Sequence, residues 1–100
     1  MIPLEYAPRA LADLERLVRF LQDAAPESAA TLVDECLAAL RMLRAHPLVG
    51  RPVEHGLREL GISRGKTGYV ALYRYDPLRP RVRVLAVRHQ REAGFVDVEP

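Results

Sequence analysis

No stretch of this 100-residue sequence approaches the roughly 20 consecutive apolar residues that a bilayer-spanning helix needs. The Met1-Ile2-Pro3-Leu4-Glu5 start carries neither a basic segment nor an apolar run of the kind that directs export. Cysteine is nearly missing: Cys36 stands alone, which excludes an internal disulfide and fits a reducing compartment. These absences lead us to expect a cytoplasmic protein with no membrane partner. Metal-ligand spacing is lacking as well. No two of Cys36, His46, His55 and His89 lie at a ligand-type interval on one element, so neither a metal nor a cofactor is expected. Gly65-Lys66-Thr67 resembles the end of a phosphate-binding loop, but the position that loop requires to be glycine is Leu60, and Gly61 is one residue out of register. A strand, not a helix, is expected to follow it, which leaves no helix N-terminus to hold a phosphate. No internal repeat is present either.

What is present is an ordinary globular balance, 49% apolar and 28% charged, at the size of one domain spanning residues 1–100. The net charge of +2 conceals an uneven distribution. Residues 1–50 hold five Arg against seven Asp and Glu, whereas residues 51–100 hold nine Arg and one Lys against six acids. A positive field concentrated in the second half points to an anionic partner, either nucleic acid or an acidic protein segment.

The hydrophobic period changes along the chain. Residues 2–6 read as a short strand ended by Ala7-Pro8, and Pro8 suits the first turn of a helix. Leu11, Leu14, Leu17, Val18 and Leu21 recur at intervals of three and four, which predicts a helix over 8–24. Pro26-Glu27 opens a second helix, over 26–45. Its Ala29, Val33, Cys36, Leu40 and Leu43 form a seam that can pack on the first. The short link between them favours an antiparallel hairpin. The stretch from His46 to Gly56, with its prolines and glycines, reads as a loop. After it the period becomes two, giving strands over 57–63, 69–76 and 81–88 joined by short turns. The fold class is therefore α+β: a short N-terminal strand, then a helical hairpin covering a basic three-stranded antiparallel meander.

The chemistry-bearing residues gather on that meander. Arg58, Arg64, Lys66, Arg74, Arg88, His89 and Arg91 form a candidate surface for an anionic target. Tyr69 and Tyr73 could stack on bases or simply pack the sheet. Metal-free RNA cleavage would need a base, an acid and cations to hold the phosphorane charge; His89 could supply the base or the acid, and Arg64 and Arg88 the charge. On the hairpin, Leu14, Leu17, Leu21 and Leu37 are candidate apolar contacts for a partner protein.

The order of several short segments resembles a known family. A proline-started helix carries Ala10 through Glu15, and a second helix ends in His46-Pro47-Leu48-Val49-Gly50-Arg51-Pro52. Arg58-Glu59-Leu60, Gly68-Tyr69, Tyr73-Arg74-Tyr75-Asp76 and the run from Val84 to His89 follow. Over about residues 2–92 this pattern resembles the RelE/ParE toxins of type II toxin–antitoxin systems. The resemblance implies a compact toxin neutralised by a cognate antitoxin, serving plasmid maintenance or stress response. RelE-like members cut mRNA on the ribosome, and ParE-like members inhibit DNA gyrase without a known reaction of their own.

The departures favour the ParE-like branch. RelE-like nucleases carry an arginine directly after the Gly-Tyr pair, where this chain has Val70. Their alternating lysines fall at Gly61 and Ser63, and a C-terminal tyrosine falls at Phe95. Loss of these cations and of that hydroxyl would remove much of the stabilisation of a developing phosphorane. The expectation is a ParE-like toxin whose partners are an antitoxin and gyrase. A RelE-like ribosome-dependent mRNA endonuclease is the alternative.

Overall fold

The computed structural model describes residues 1–63 and 68–90. The elements run β1 (Leu4–Tyr6), α1 (Pro8–Ala24), α2 (Ala29–Met42), β2 (Arg51–Pro52), β3 (Arg58–Gly61), β4 (Tyr69–Asp76) and β5 (Arg81–His89). The five strands make one mixed sheet in the order β1-β5-β4-β3-β2. Two helices against such a sheet give the α+β class expected from the sequence, but the three-stranded antiparallel sheet is extended at both edges. β1 joins parallel to β5, with Leu4 opposite Val82 and Tyr6 opposite Val84. β2 lies inside the stretch read as a loop and pairs Arg51 with Glu59. Pro52 is tolerated there because β2 is an edge strand, so its missing N–H interrupts no inner ladder. His55 (φ 62°) and Gly56 (φ 71°) then turn the chain into β3 through two consecutive left-handed residues.

α1 begins at Pro8, with Ala7 extended before it, and ends where the Ala25 N–H bonds Leu21 O. α2 is shorter than the periodicity indicates. Ser28 N–H bonds Ala25 O, and at the other end Leu43, Arg44 and Ala45 bond Leu40, Arg41 and Met42. These i→i+3 bonds tighten the first and last turns, which is how short helix ends satisfy backbone groups that lack i→i+4 partners. Every residue of the seam from Ala29 to Leu43 is buried or half-buried, as its spacing requires.

The main core lies between the helices and the sheet. Ala10, Leu17, Leu21, Cys36, Leu40 and Leu43 meet Ile62, Ala71, Tyr73, Val82, Val84 and Val87 there. A second, smaller cluster of Leu57, Leu72, Leu85 and Ala86 sits on the opposite sheet face, flanked by Ala7 and Val53. β5 contributes to both, and a slip in its register places the neighbours Leu85 and Ala86 in the same cluster: Tyr73 pairs with Val84, but Leu72 pairs with Ala86. Leu85 is the extra residue of a β-bulge, and a bulge reverses the in–out alternation beyond it.

Candidate functional site

The bulge decides which way the end of β5 faces. Before it, Val82 and Val84 point to the helices; after it, Val87 and His89 do. His89 pairs with Tyr69 and Arg88 with Val70, so Arg88 and His89 project from opposite faces of the sheet. The two β5 residues expected to act together as a cation and an acid or base therefore point their side chains to opposite faces, while both border one cleft. Arg64, Lys66 and Arg91 lie outside the described residues.

On the helix side, the His89 ring meets Tyr69 edge-on, with centroids 5.2 Å apart at 83°. Tyr69 meets Phe20 of α1 in the same manner at 6.4 Å. They line a cleft of about 190 Å³ together with Asp13, Arg16, Leu17, Val87 and Arg88. Asp13 was not singled out from the sequence, yet its side chain is fully buried. It binds Arg9 at 3.2 Å and also Arg16, and accepts the Val87 backbone N–H at 2.9 Å. β1 has ended by this level, so no strand is available to receive that N–H, and the carboxylate takes the place of a strand carbonyl. The signal was available: Asp13 occupies the same helix face as Ala10, Leu17 and Leu21, where an acid is out of pattern.

On the helix-free face, Arg88 is 16% exposed and lies 3.6 Å from Glu59, while donating to His89 O at 3.1 Å. Glu59 also holds Arg51 of β2 at 2.5 Å. One carboxylate thus sits between two guanidinium groups at this end of the sheet. Arg74 lies elsewhere. It pairs across the ladder with Arg83, toward the turn that joins β4 and β5, and shares that end with Arg81. Among the described residues of the expected surface, Arg74 and Arg88 thus stand toward opposite ends of the sheet.

Arg58 belongs to neither group. Opposite Tyr73 in the ladder, it donates to Gly50 O at 2.8 Å and Leu48 O at 3.1 Å. Tyr73 is fully buried; its hydroxyl donates to Pro47 O at 2.8 Å and accepts the Gly50 N–H at 2.9 Å. A Cβ at Gly50 would lie 2.6 Å from the Tyr73 ring, so only glycine lets the loop approach this closely. Arg58 and Tyr73 together fasten residues 47–50 to the sheet. Burial pushes the Tyr73 phenol above its ordinary value, an effect opposed by the Gly50 N–H and by Arg58. Burial similarly raises the Cys36 thiol, with a smaller push from Glu35, which suits an unreactive core residue.

Tyr69 and Tyr73 are core residues, and Tyr6 and Tyr75 face the helices with them. None of the four is placed as a stacking platform on the helix-free face. Of the leucines expected to meet a partner, Leu17 and Leu21 are buried, whereas Leu14 and Leu37 are half-buried at the core margin. The large apolar residues of α1 that are exposed are Leu11 and Phe20. Leu11, Leu14 and Val18 line a shallow groove with Glu15 and Arg19. Among the described residues no three His, Cys, Asp or Glu side chains come together in a way that could hold a metal. No helix among them is long and apolar enough to cross a membrane.

Comparison with known proteins places this architecture. The family model described as the ParE toxin of the type II toxin–antitoxin system, parDE, matches residues 4–94. Toxin RelE3 of Caulobacter vibrioides is 37% identical over 92 residues, covering 92% of this chain and 98% of that protein. A chain of the chromosomal ParDE system from P. aeruginosa superposes with a TM-score of 0.73 at 25% identity, over 89% of this chain and 96% of that one. A chain of the RelBE2 toxin–antitoxin complex from Mycobacterium tuberculosis gives 0.58 at 27%, over 89% and 98%. A mutant of the E. coli toxin RelE in the free state gives 0.66 at 15%, over 92% and 86%, a likeness of fold alone. With a family match across nine-tenths of its length and a hairpin-on-sheet structure shared with those toxins, the chain belongs to the ParE/RelE family of type II toxin–antitoxin toxins.

Proposed function

We propose that this toxin arrests growth in the ParE-like manner, by binding DNA gyrase in the cytoplasm without a reaction of its own, and that a cognate antitoxin neutralises it. The observation that supports this reading is that the Arg88 and His89 side chains leave β5 on opposite faces of the sheet, although both residues border the same cleft. His89 faces the helices beside Tyr69, while Arg88 faces the other way beside Glu59. General acid–base cleavage of RNA needs its base and its phosphate-binding cations around one reacting phosphate. A protein–protein contact has no such requirement and can use Arg88 and Arg51 as a charged rim around apolar contacts.

The direct test is DNA supercoiling by gyrase, titrated with folded, antitoxin-free protein against a heat-inactivated control. Dose-dependent inhibition, or accumulation of cleaved DNA complexes, is the expected result; no effect from folded protein would overturn it. Neutral substitution, Arg88→Gln with Arg91→Gln, should relieve growth arrest, with circular dichroism checking that the fold is retained.

A second reading rests on the His89 cleft. Arg16 and Arg88 line it together with His89, and a 37% identical relative is a RelE toxin by name. A RelE-like ribosome-dependent mRNA endonuclease predicts new mRNA 5′ ends after induction, abolished by His89→Ala. Their absence with the parent protein would remove this reading.

A further inference from the structure

The turn end of the helix-free sheet face has a charge arrangement that the fold does not neutralise. Arg74 on β4 stands directly opposite Arg83 on β5. Like charges in directly opposed cross-strand positions destabilise a sheet. The residues around them supply little compensation. Glu5 on β1 is shared, 3.4 Å from Arg81 and 3.6 Å from Arg83. Asp76 is turned into its own loop, where its Oδ1 accepts the backbone N–H groups of Leu78 and Arg79. Arg74 is exposed, and no described carboxylate lies within ion-pairing distance of it. Four guanidinium groups, of Arg74, Arg79, Arg81 and Arg83, thus stand against two carboxylates that are both already engaged. Beside them Leu78, at the tip of the turn, is 91% exposed.

We propose that this end of the sheet is a docking surface for an acidic segment of a partner protein, with carboxylates set between Arg74 and Arg83 and an apolar side chain laid against Leu78. Charge complementarity selects the sign of the partner. The chemistry of the face selects its class. Single-stranded nucleic acid is held by aromatic platforms as well as by cations. The described strand residues on this face include no aromatic, because Tyr6, Tyr69, Tyr73 and Tyr75 all face the helices. Glu5 and Asp76 also interrupt the continuous positive track that a phosphate backbone would follow. A peptide can instead place discrete carboxylates at the guanidinium groups and an apolar residue at the turn. This surface is distinct from the Arg51–Glu59–Arg88 group at the opposite end of the sheet, and it does not depend on which cellular target the toxin has.

Amide chemical shifts of the folded, isotope-labelled protein provide the test. The probes are a short unstructured peptide alternating Glu with Leu and Ser, the same peptide with Gln for Glu, and oligouridylate. The Glu peptide should shift the amides of Arg74, Leu78 and Arg83. Its affinity should fall at least tenfold with Gln for Glu, in R74A/R83A, and on raising the salt. R74A/R83A should also be no less stable than the parent, since it removes a repulsion from an exposed position. The exposed variant Arg19→Ala on α1 should bind as the parent does. No shift with the Glu peptide would overturn the proposal, as would shifts centred on Arg51 and Arg88. Oligouridylate binding at Arg74 and Arg83 as tightly as the Glu peptide would replace it with a nucleic-acid surface.

Discussion

Replacing Tyr73 with Phe removes one oxygen atom from the centre of the molecule and should release a loop. That hydroxyl is the shared partner of Pro47 O and the Gly50 N–H, at 2.8 and 2.9 Å. Pro47 is half-buried, so its carbonyl can turn to water, whereas Gly50 is buried and its N–H would be left without an acceptor. A typical hydrogen bond contributes about 1 kcal/mol net, and stranding a buried donor costs about 1–3 kcal/mol. The expected loss is about 2 kcal/mol, a sizeable part of the roughly 5–15 kcal/mol that stabilises a small domain. In a chain of this length it corresponds to a fall in Tm of roughly 8–16 °C. Urea unfolding followed by circular dichroism should show a lower midpoint at constant slope, because the exposed surface hardly changes. Arg58→Ala should act on the same loop, since Arg58 bonds Gly50 O and Leu48 O. The two substitutions should be non-additive by roughly 0.5–2 kcal/mol in a double-mutant cycle. A Tyr73→Phe loss below about 0.5 kcal/mol would refute the claim that the hydroxyl fastens the loop. The pair also tests function. If Arg58 matters by holding residues 47–50, both variants should lose toxicity together; loss in Arg58→Ala alone would make Arg58 a contact residue.

Three further outcomes follow from the same contacts. Asp13→Ala should cost roughly 2–3 kcal/mol by removing the charged acceptor of the Val87 N–H, with Asp13→Asn milder because its amide oxygen can still accept; unchanged hydrogen-exchange protection at Val87 in Asp13→Ala would contradict this role. Gly50→Ala should cost about 2 kcal/mol or more, since its Cβ would meet the Tyr73 ring at 2.6 Å and Glu59 O at 2.8 Å, and a near-neutral urea midpoint would count against that packing. Stability should fall at alkaline pH, because burial raises the Tyr73 phenol in the folded state while the unfolded phenol ionises near 10, so above that pH the unfolded chain binds fewer protons. The Tyr73 contribution is then complete below about pH 10 and lost as pH rises through the raised folded value; Tyr73→Phe should flatten the decline, leaving the part due to Tyr6, whose phenol burial also raises.

Periodicity alone carried the helical hairpin, because a buried helix face and a buried strand face impose different spacings that no neighbour can alter. The seam from Ala29 to Leu43 and the division of β4 into a tyrosine face and a Val70–Leu72 face are properties of the sequence in this sense. The order of short motifs likewise sufficed to point to the toxin family. The rest depended on contacts between residues distant in the chain. β1 pairs with β5 across 78 positions at Leu4 and Val82, and no local pattern states that pairing or its parallel sense. β2 is a strand only because Glu59 and Arg58 lie beside it. The bulge at Leu85 sets one cluster of the core against the other, and through Asp13 it is fastened to a helix far away in sequence. Alternation read along β5 puts Arg88 and His89 on opposite faces, but it cannot register an inserted residue, so it could not show which of the two faces the helices. Sequence determined which residues are apolar, charged and periodic; tertiary pairing decided which arginines fasten the fold, which are neutralised by Glu59 and Glu5, and which remain for a partner.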